Sequence, residues 1–146
     1  RYHCKSADLE GRREYVMKRA WVFEDEEVIR EFIALALTEH GYLVSTYESP
    51  YFVQESEMPD LLISDNRMPY LSGMDYVRQM WRDGVRVQHI ALMSGDWANR
   101  DVKEAESMGC KIFYKPFQLR LFHNWLTTLA AEPTRGTTMC WTNMAP

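Results

Sequence analysis

The chain has 146 residues, 46% apolar and 26% charged, which fits one globular domain of ordinary size with a real core. A formal net charge of −4 gives no general reason to expect nucleic-acid binding, and no run approaches the roughly 18 consecutive apolar residues of a membrane span. Cys4, Cys110 and Cys140 are odd in number and lack Cys-x-x-Cys spacing, which argues against a disulfide framework or structural zinc and suits a reducing cytoplasm.

Residues 1–16 are mixed in charge without a sustained period and read as an extension. The globular unit is expected over 17–132, followed by a tail over 133–146 that is rich in Thr, Pro and small residues. After Met17-Lys18-Arg19, an apolar run from Ala20 to Phe23 reads as a strand and stops at Glu24-Asp25. Glu26 to His40 then carries Val28, Ile29, Phe32, Ile33, Leu35, Ala36 and Leu37 on one broad face at helical spacing, and Gly41 closes it. Leu43 to Tyr47 is a second strand. Ser49-Pro50 opens a short helix through Glu57, with proline in its first turn.

Leu61 to Ser64 is a third strand and ends at Asp65. Ser72 caps a helix over 73–83 that buries Met74, Val77, Met80 and Trp81, and Gly84 ends it. Val87 to Met93 is the fourth strand, followed by Ser94-Gly95-Asp96, a half-exposed Trp97 and a polar helix from Asn99 to Met108. Ile112 to Tyr114 is a short fifth strand, with Cys110 before it as a small buried hydrophobe. Lys115-Pro116-Phe117 leads to the last helix, Gln118 to Ala131, apolar at Leu119, Leu121, Phe122, Trp125, Leu126 and Leu129.

Five strands each leading into a helix call for right-handed crossovers, hence an α/β doubly wound parallel sheet with helices on both faces. The order 2-1-3-4-5 brings the ends of strands 1, 3, 4 and 5 to one crevice at the carboxyl edge. Glu24 and Asp25, Asp65, Ser94 and Lys115 stand at those ends. Three converging carboxylates repel unless a cation is present, and oxygen-only ligands favour a hard divalent ion, Mg²⁺ completed by waters. A carboxylate nucleophile, a hard cation, an ammonium and a hydroxyl donor are what phosphoryl transfer onto Asp65 requires.

Four segments together, Phe23-Glu24-Asp25-Glu26, Asp65-Asn66-Arg67-Met68-Pro69 with Gly73, Met93-Ser94-Gly95 and Lys115-Pro116-Phe117, resemble the receiver domain of bacterial two-component response regulators. The resemblance covers about Lys18 to Leu129 and implies a flavodoxin-like fold. It implies that Asp65 is the phosphoacceptor and that Mg²⁺ is held by Asp25, by Asp65, by the Arg67 backbone carbonyl and, through water, by Glu24. Ser94 and Lys115 would bind phosphoryl oxygens. The implied partners are a sensor histidine kinase as donor and a downstream protein or output domain. A homodimer through the fourth helix, fifth strand and fifth helix is a further option, with no direct contact to nucleic acid or membrane.

Two departures from the family stand out. The stretch from Gly109 to Lys115 is one residue short, and the usual aromatic three residues before the lysine is Ile112, leaving Phe113 or Tyr114 for its role. Arg67 and Asp96, each two residues past a site residue, are expected to pair across the mouth and slow loss of the phosphoryl group. The histidines are scattered over different elements and receive no role. Taken singly, the acidic pair reads as a solvated loop, Asp65 as a helix cap and Ser94-Gly95 as a turn. The rival readings are a pseudo-receiver that only binds proteins and an aspartyl phosphatase of another α/β family. That second family wants an acid where Arg67 stands.

Overall fold

The structure, a computed structural model, describes residues 17–116 and 118–130. The expected extension and tail, and Phe117 of the lysine motif, lie outside these residues. Five strands form one parallel sheet: β1 (Arg19–Phe23), β2 (Leu43–Tyr47), β3 (Leu61–Asp65), β4 (His89–Ser94) and β5 (Lys111–Tyr114). Their order is β2-β1-β3-β4-β5, as the alternation of elements requires. The four α-helices are α1 (Glu27–Glu39), α2 (Gly73–Arg82), α3 (Asn99–Ser107) and α4 (Leu119–Ala130).

Strand side chains alternate between two apolar layers, which is why the strands read as nearly continuous hydrophobic runs. Ala20, Val22, Leu61, Ile63, Ala91, Met93 and Phe113 face α1 and α4 through Ile33, Ala36, Leu37, Phe122, Leu126 and Leu129. Trp21, Phe23, Leu62, Ile90 and Leu92 face the other way, against Met74, Val77 and Met80 of α2 and Ala105 of α3. All five residues of β3 are buried, so its end is fixed from both sides. Full burial of a large side chain is worth roughly 1.5–3 kcal/mol, so these two layers dominate stability.

Two expectations fail here. The apolar face of α1 is narrower than its sequence suggests: Ile33, Ala36 and Leu37 are buried, but Val28, Phe32 and Leu35 are exposed. The helix sits on a sheet with α4 beside it, and only about a third of its circumference finds cover. Leu119 and Leu121 of α4 are likewise exposed.

The second expected helix, from Ser49 to Glu57, is also absent. Only a 3-10 turn, Pro50–Phe52, forms there, with the Ser49 hydroxyl accepting from the Tyr51 N–H at 3.3 Å. The chain then runs irregularly to β3 as a strap. Its reason is Glu55, which receives the indole N–H of Trp21 (3.3 Å) and the hydroxyl of Tyr47 (2.7 Å), and pairs with Arg19 (3.1 Å). Trp21 is 1% exposed, and a buried indole N–H needs an acceptor. Burial opposes ionisation of Glu55, but donors from Ser45, Tyr47 and Trp21 and the Arg19 charge hold its carboxyl below the usual range. Val53 and Met58 of the strap pack on the α2–α3 layer, covering area a helix would have covered.

Candidate phosphoacceptor site

Strand register sets the site. Phe23 lies level with Ser64, and Asp65 with Met93, so Glu24 and Asp65 emerge side by side at the carboxyl edge. Ser94 is level with Tyr114, which brings Lys115 just past the same edge, and the Lys115 N–H donates to the Ser94 carbonyl at 2.9 Å. The Lys115–Pro116 peptide is cis.

Lys115 is the hub. Its Nζ lies 2.8 Å from Glu24 Oε2 and 3.3 Å from Asp65 Oδ2. Glu24 is fully buried, and its other oxygen accepts the Glu26 N–H at 3.1 Å. Asp65 is nearly buried, and its Oδ1 accepts the Arg67 N–H at 3.3 Å. Asp25 is exposed beside them, and ligand oxygens of Glu24, Asp25 and Asp65 all lie within 4.8 Å of one another. This donor set, oxygen only and formally trianionic, has the chemistry of a site for a hard divalent cation.

The electrostatics follow from this crowding. Burial raises the Glu24 carboxyl above its ordinary value, opposed by the Lys115 bond and the Glu26 N–H, while the Asp65 charge adds to the rise. Burial likewise raises Asp65, opposed mainly by Lys115 and the Arg67 N–H. Burial alone would lower the Lys115 ammonium, but the bond to Glu24 and the charges of Asp65 and Glu24 outweigh it and hold it above the usual range. One cation facing three acids leaves room for a second.

Two residues quoted in the motif without a role of their own hold Asp65 in place. Asn66 is buried, and its side-chain oxygen accepts the Met74 N–H at 2.9 Å, tying the loop to the start of α2. Gly73 passes so close that a Cβ there would meet the Asp65 carbonyl at 2.6 Å and the Ser64 hydroxyl at 2.8 Å. The motif glycine marks this spot in sequence, but its reason is contact with β3 rather than turn geometry. Ser72 caps α2 as expected, accepting from the Asp75 N–H at 3.0 Å.

The remaining predicted residues divide. Ser94 is buried at the end of β4, but its hydroxyl bonds within its own loop, donating to the Asp96 carbonyl and accepting its N–H, both at 3.1 Å. Arg67 and Asp96 do meet, at 3.5 Å, with both side chains largely exposed. Phe113 packs into the α1–α4 layer, edge-on to Phe122 and Trp125 at 5.6 Å each. Neighbouring strand residues point to opposite faces, so Ile112 takes the α2–α3 layer and Tyr114 is exposed. Trp97 is half-buried against that same layer, its indole N–H 3.5 Å from the Phe113 carbonyl.

The chain and its fold match known proteins. The family model of the response regulator receiver domain matches residues 20–127. The chain belongs to that family. This receiver domain is 32% identical over 114 residues to the alkaline phosphatase synthesis transcriptional regulatory protein SphR of Synechococcus elongatus, covering 70% of this chain and 44% of that protein. Response regulator MprA of Mycobacterium ulcerans is 28% identical over 104 residues, covering 69% of this chain and 45% of that one. The chain thus spans under half the length of these relatives.

Solved structures agree on the fold. A response regulator receiver protein from Pseudomonas putida matches with a TM-score of 0.67 at 22% identity, covering 79% of this chain and 98% of that one. Chemotaxis response regulator CheY4 of Vibrio cholerae matches with a TM-score of 0.65 at 20% identity, covering 78% and 99%. The receiver domain of a two-component response regulator is a signalling module. Among the described residues, no helix is long and apolar enough to cross a membrane.

Proposed function

We propose that this domain works in the cytoplasm and accepts a phosphoryl group on Asp65 from a sensor histidine kinase, with Mg²⁺ bound. The observation that carries the reading is Lys115 Nζ, 3.3 Å from Asp65 and 2.8 Å from Glu24 beside an exposed Asp25. An Asp65 oxygen forms the O–P bond as the P–N bond of the donor phosphohistidine breaks, and the departing imidazole takes up a proton. Lys115 offsets charge on the phosphoryl oxygens from one side. Asp25, Asp65, the Arg67 carbonyl and, through water, Glu24 would hold Mg²⁺, which when bound supplies the same compensation from the other. The domain contributes position and charge rather than turnover.

Ser94 can donate to a phosphoryl oxygen only by giving up its bond to the Asp96 carbonyl, and Trp97 is the next residue along. Phosphorylation is therefore coupled to the loop between β4 and α3. The altered surface of α3, β5 and α4 is where a downstream protein, an output domain or a second copy would read it. The Arg67–Asp96 pair closes part of the mouth and slows hydrolysis. An Arg67→Ala, Asp96→Ala double variant should lose its phosphoryl group faster.

The test uses tryptophan fluorescence, with Trp97→Phe to assign the signal among the five tryptophans. Mg²⁺ and then beryllofluoride should each change Trp97 emission, and Asp65→Asn should abolish the second response. A chain silent to both would instead be a phosphorylation-independent binding module, a pseudo-receiver.

A further inference from the structure

Beside the acidic crevice lies a cleft of about 440 Å³ whose lining includes Tyr51, Phe52, Pro69 and Tyr70 with Asp25 and Glu48. Three loops at the carboxyl edge build it, those after β1, β2 and β3. Its aromatic rings are not core. Tyr51 is 67% exposed, Phe52 61% and Tyr70 92%, with Tyr51 and Tyr70 edge to face at 6.4 Å. Its charged lining residues are both carboxylates.

Tyr70 is held there at a cost. Its φ is +73°, and it is the one non-glycine residue with positive φ among those described. The Leu71 N–H closes a three-residue turn onto the Pro69 carbonyl at 2.9 Å, the rarer and more strained hand of such a turn. A β-carbon in that region costs roughly 1–2 kcal/mol, and a ring left in water returns nothing to folding. Strain of this kind gathers at binding sites.

The geometry points to this cleft as the seat for a basic side chain, arginine before lysine, on the protein that donates the phosphoryl group to Asp65. Aromatic faces attract a cation and cover its apolar stem, while Glu48, which the Mg²⁺ site does not use, supplies the countercharge. A planar guanidinium suits an aromatic face and a carboxylate acceptor better than an ammonium does. The cleft adjoins Asp25, so a donor protein reaching Asp65 passes its rim. The identity of the occupant rests on the phosphoacceptor reading above; the cleft and its chemistry do not.

The experiment is an NMR titration of the full chain, Mg²⁺ present, with N-acetyl-arginine amide and its neutral isostere N-acetyl-citrulline amide. Tyr51, Phe52 and Tyr70 ring resonances should shift with the arginine compound, at least about fivefold tighter than with citrulline. Tyr70→Ala should abolish the shifts, and Glu48→Gln should weaken binding by about threefold. Equal response to both compounds, no response, or shifts elsewhere would overturn the assignment. So would a monomer–dimer equilibrium lost in Tyr70→Ala, which would give the cleft to a second copy. Beryllofluoride on the same sample tests Asp65 separately. A beryllofluoride response without an arginine effect sinks the cleft alone. An arginine effect without a beryllofluoride response removes the phosphodonor as occupant and so overturns the proposal along with the phosphoacceptor reading.

Discussion

The two faces of the sheet are covered by helix pairs that are held together differently. On one, α1 and α4 meet over a deep apolar layer, and at its rim His40 Nε2 lies 2.7 Å from His123 Nδ1. On the other, α3 buries only Ala105 of its own residues and is tied to α2 by Arg78, which reaches Asp75, Asp101 and Glu104. The bond to Glu104, with those to Asp101 and Asp75, holds the Arg78 guanidinium above its ordinary range despite partial burial, so it stays charged at any working pH. Two positive charges at the His40–His123 distance would repel one another. The crevice therefore sits between an oily half with a proton-sensitive latch and a thinner half with a permanent ionic clamp. The helix expected to move with the Ser94 loop is in the thinner half.

The comparison breaks most readily at Phe122. It is 1% exposed in the α1–α4 layer, and Phe122→Ala should cost about 3–5 kcal/mol in denaturant unfolding. A loss below about 1 kcal/mol would mean that this layer is not the main anchor. Gly73→Ala is next: a methyl 2.6 Å from the Asp65 carbonyl should cost about 1–3 kcal/mol and weaken Mg²⁺ binding by displacing Asp65. Wild-type metal affinity in that variant would show that Gly73 does not position the site.

Arg78→Ala should lower stability less than either, because water still reaches and screens these half-buried ion pairs. Its signature is local, faster amide exchange across α3 than across α1, with the same size of effect at pH 6 and pH 8. Uniform exchange would refute the clamp.

The smallest effect belongs to the histidines. Burial, then the His123 charge, lowers the His40 imidazole below its ordinary value of 6.5, with Glu39 opposing. A folded-state value below the unfolded one means that protons favour the unfolded chain. The contribution is complete above about 6.5 and fades as the pH falls below it. His123→Ala should flatten stability between pH 7 and 5; an unchanged slope would deny the latch.

Most of the sheet was legible because its inner strands are short apolar runs ended by polar residues, and those end residues carry the chemistry. Glu24, Asp65 and Lys115 could be placed together from strand order alone. What escaped depends on contacts between residues far apart in sequence. The helix after Ser49 is lost to Trp21 and Tyr47, whose polar ends claim Glu55 and pull the chain into a strap. His40 and His123 are 83 residues apart, and no spacing rule joins them. The facing of Phe113 was open in sequence because a four-residue strand gives too little alternation to fix it. Ser94 stands where expected with its hydroxyl turned to Asp96, a rotamer that local sequence does not encode.

The most direct test is intact-protein mass spectrometry after incubation with acetyl phosphate and Mg²⁺. One phosphoryl addition, mapped to Asp65 by borohydride trapping and lost in Asp65→Asn, is the expected result. An equal addition in Asp65→Asn, or none in the wild type with Mg²⁺ bound, would contradict the assignment of Asp65 as the acceptor.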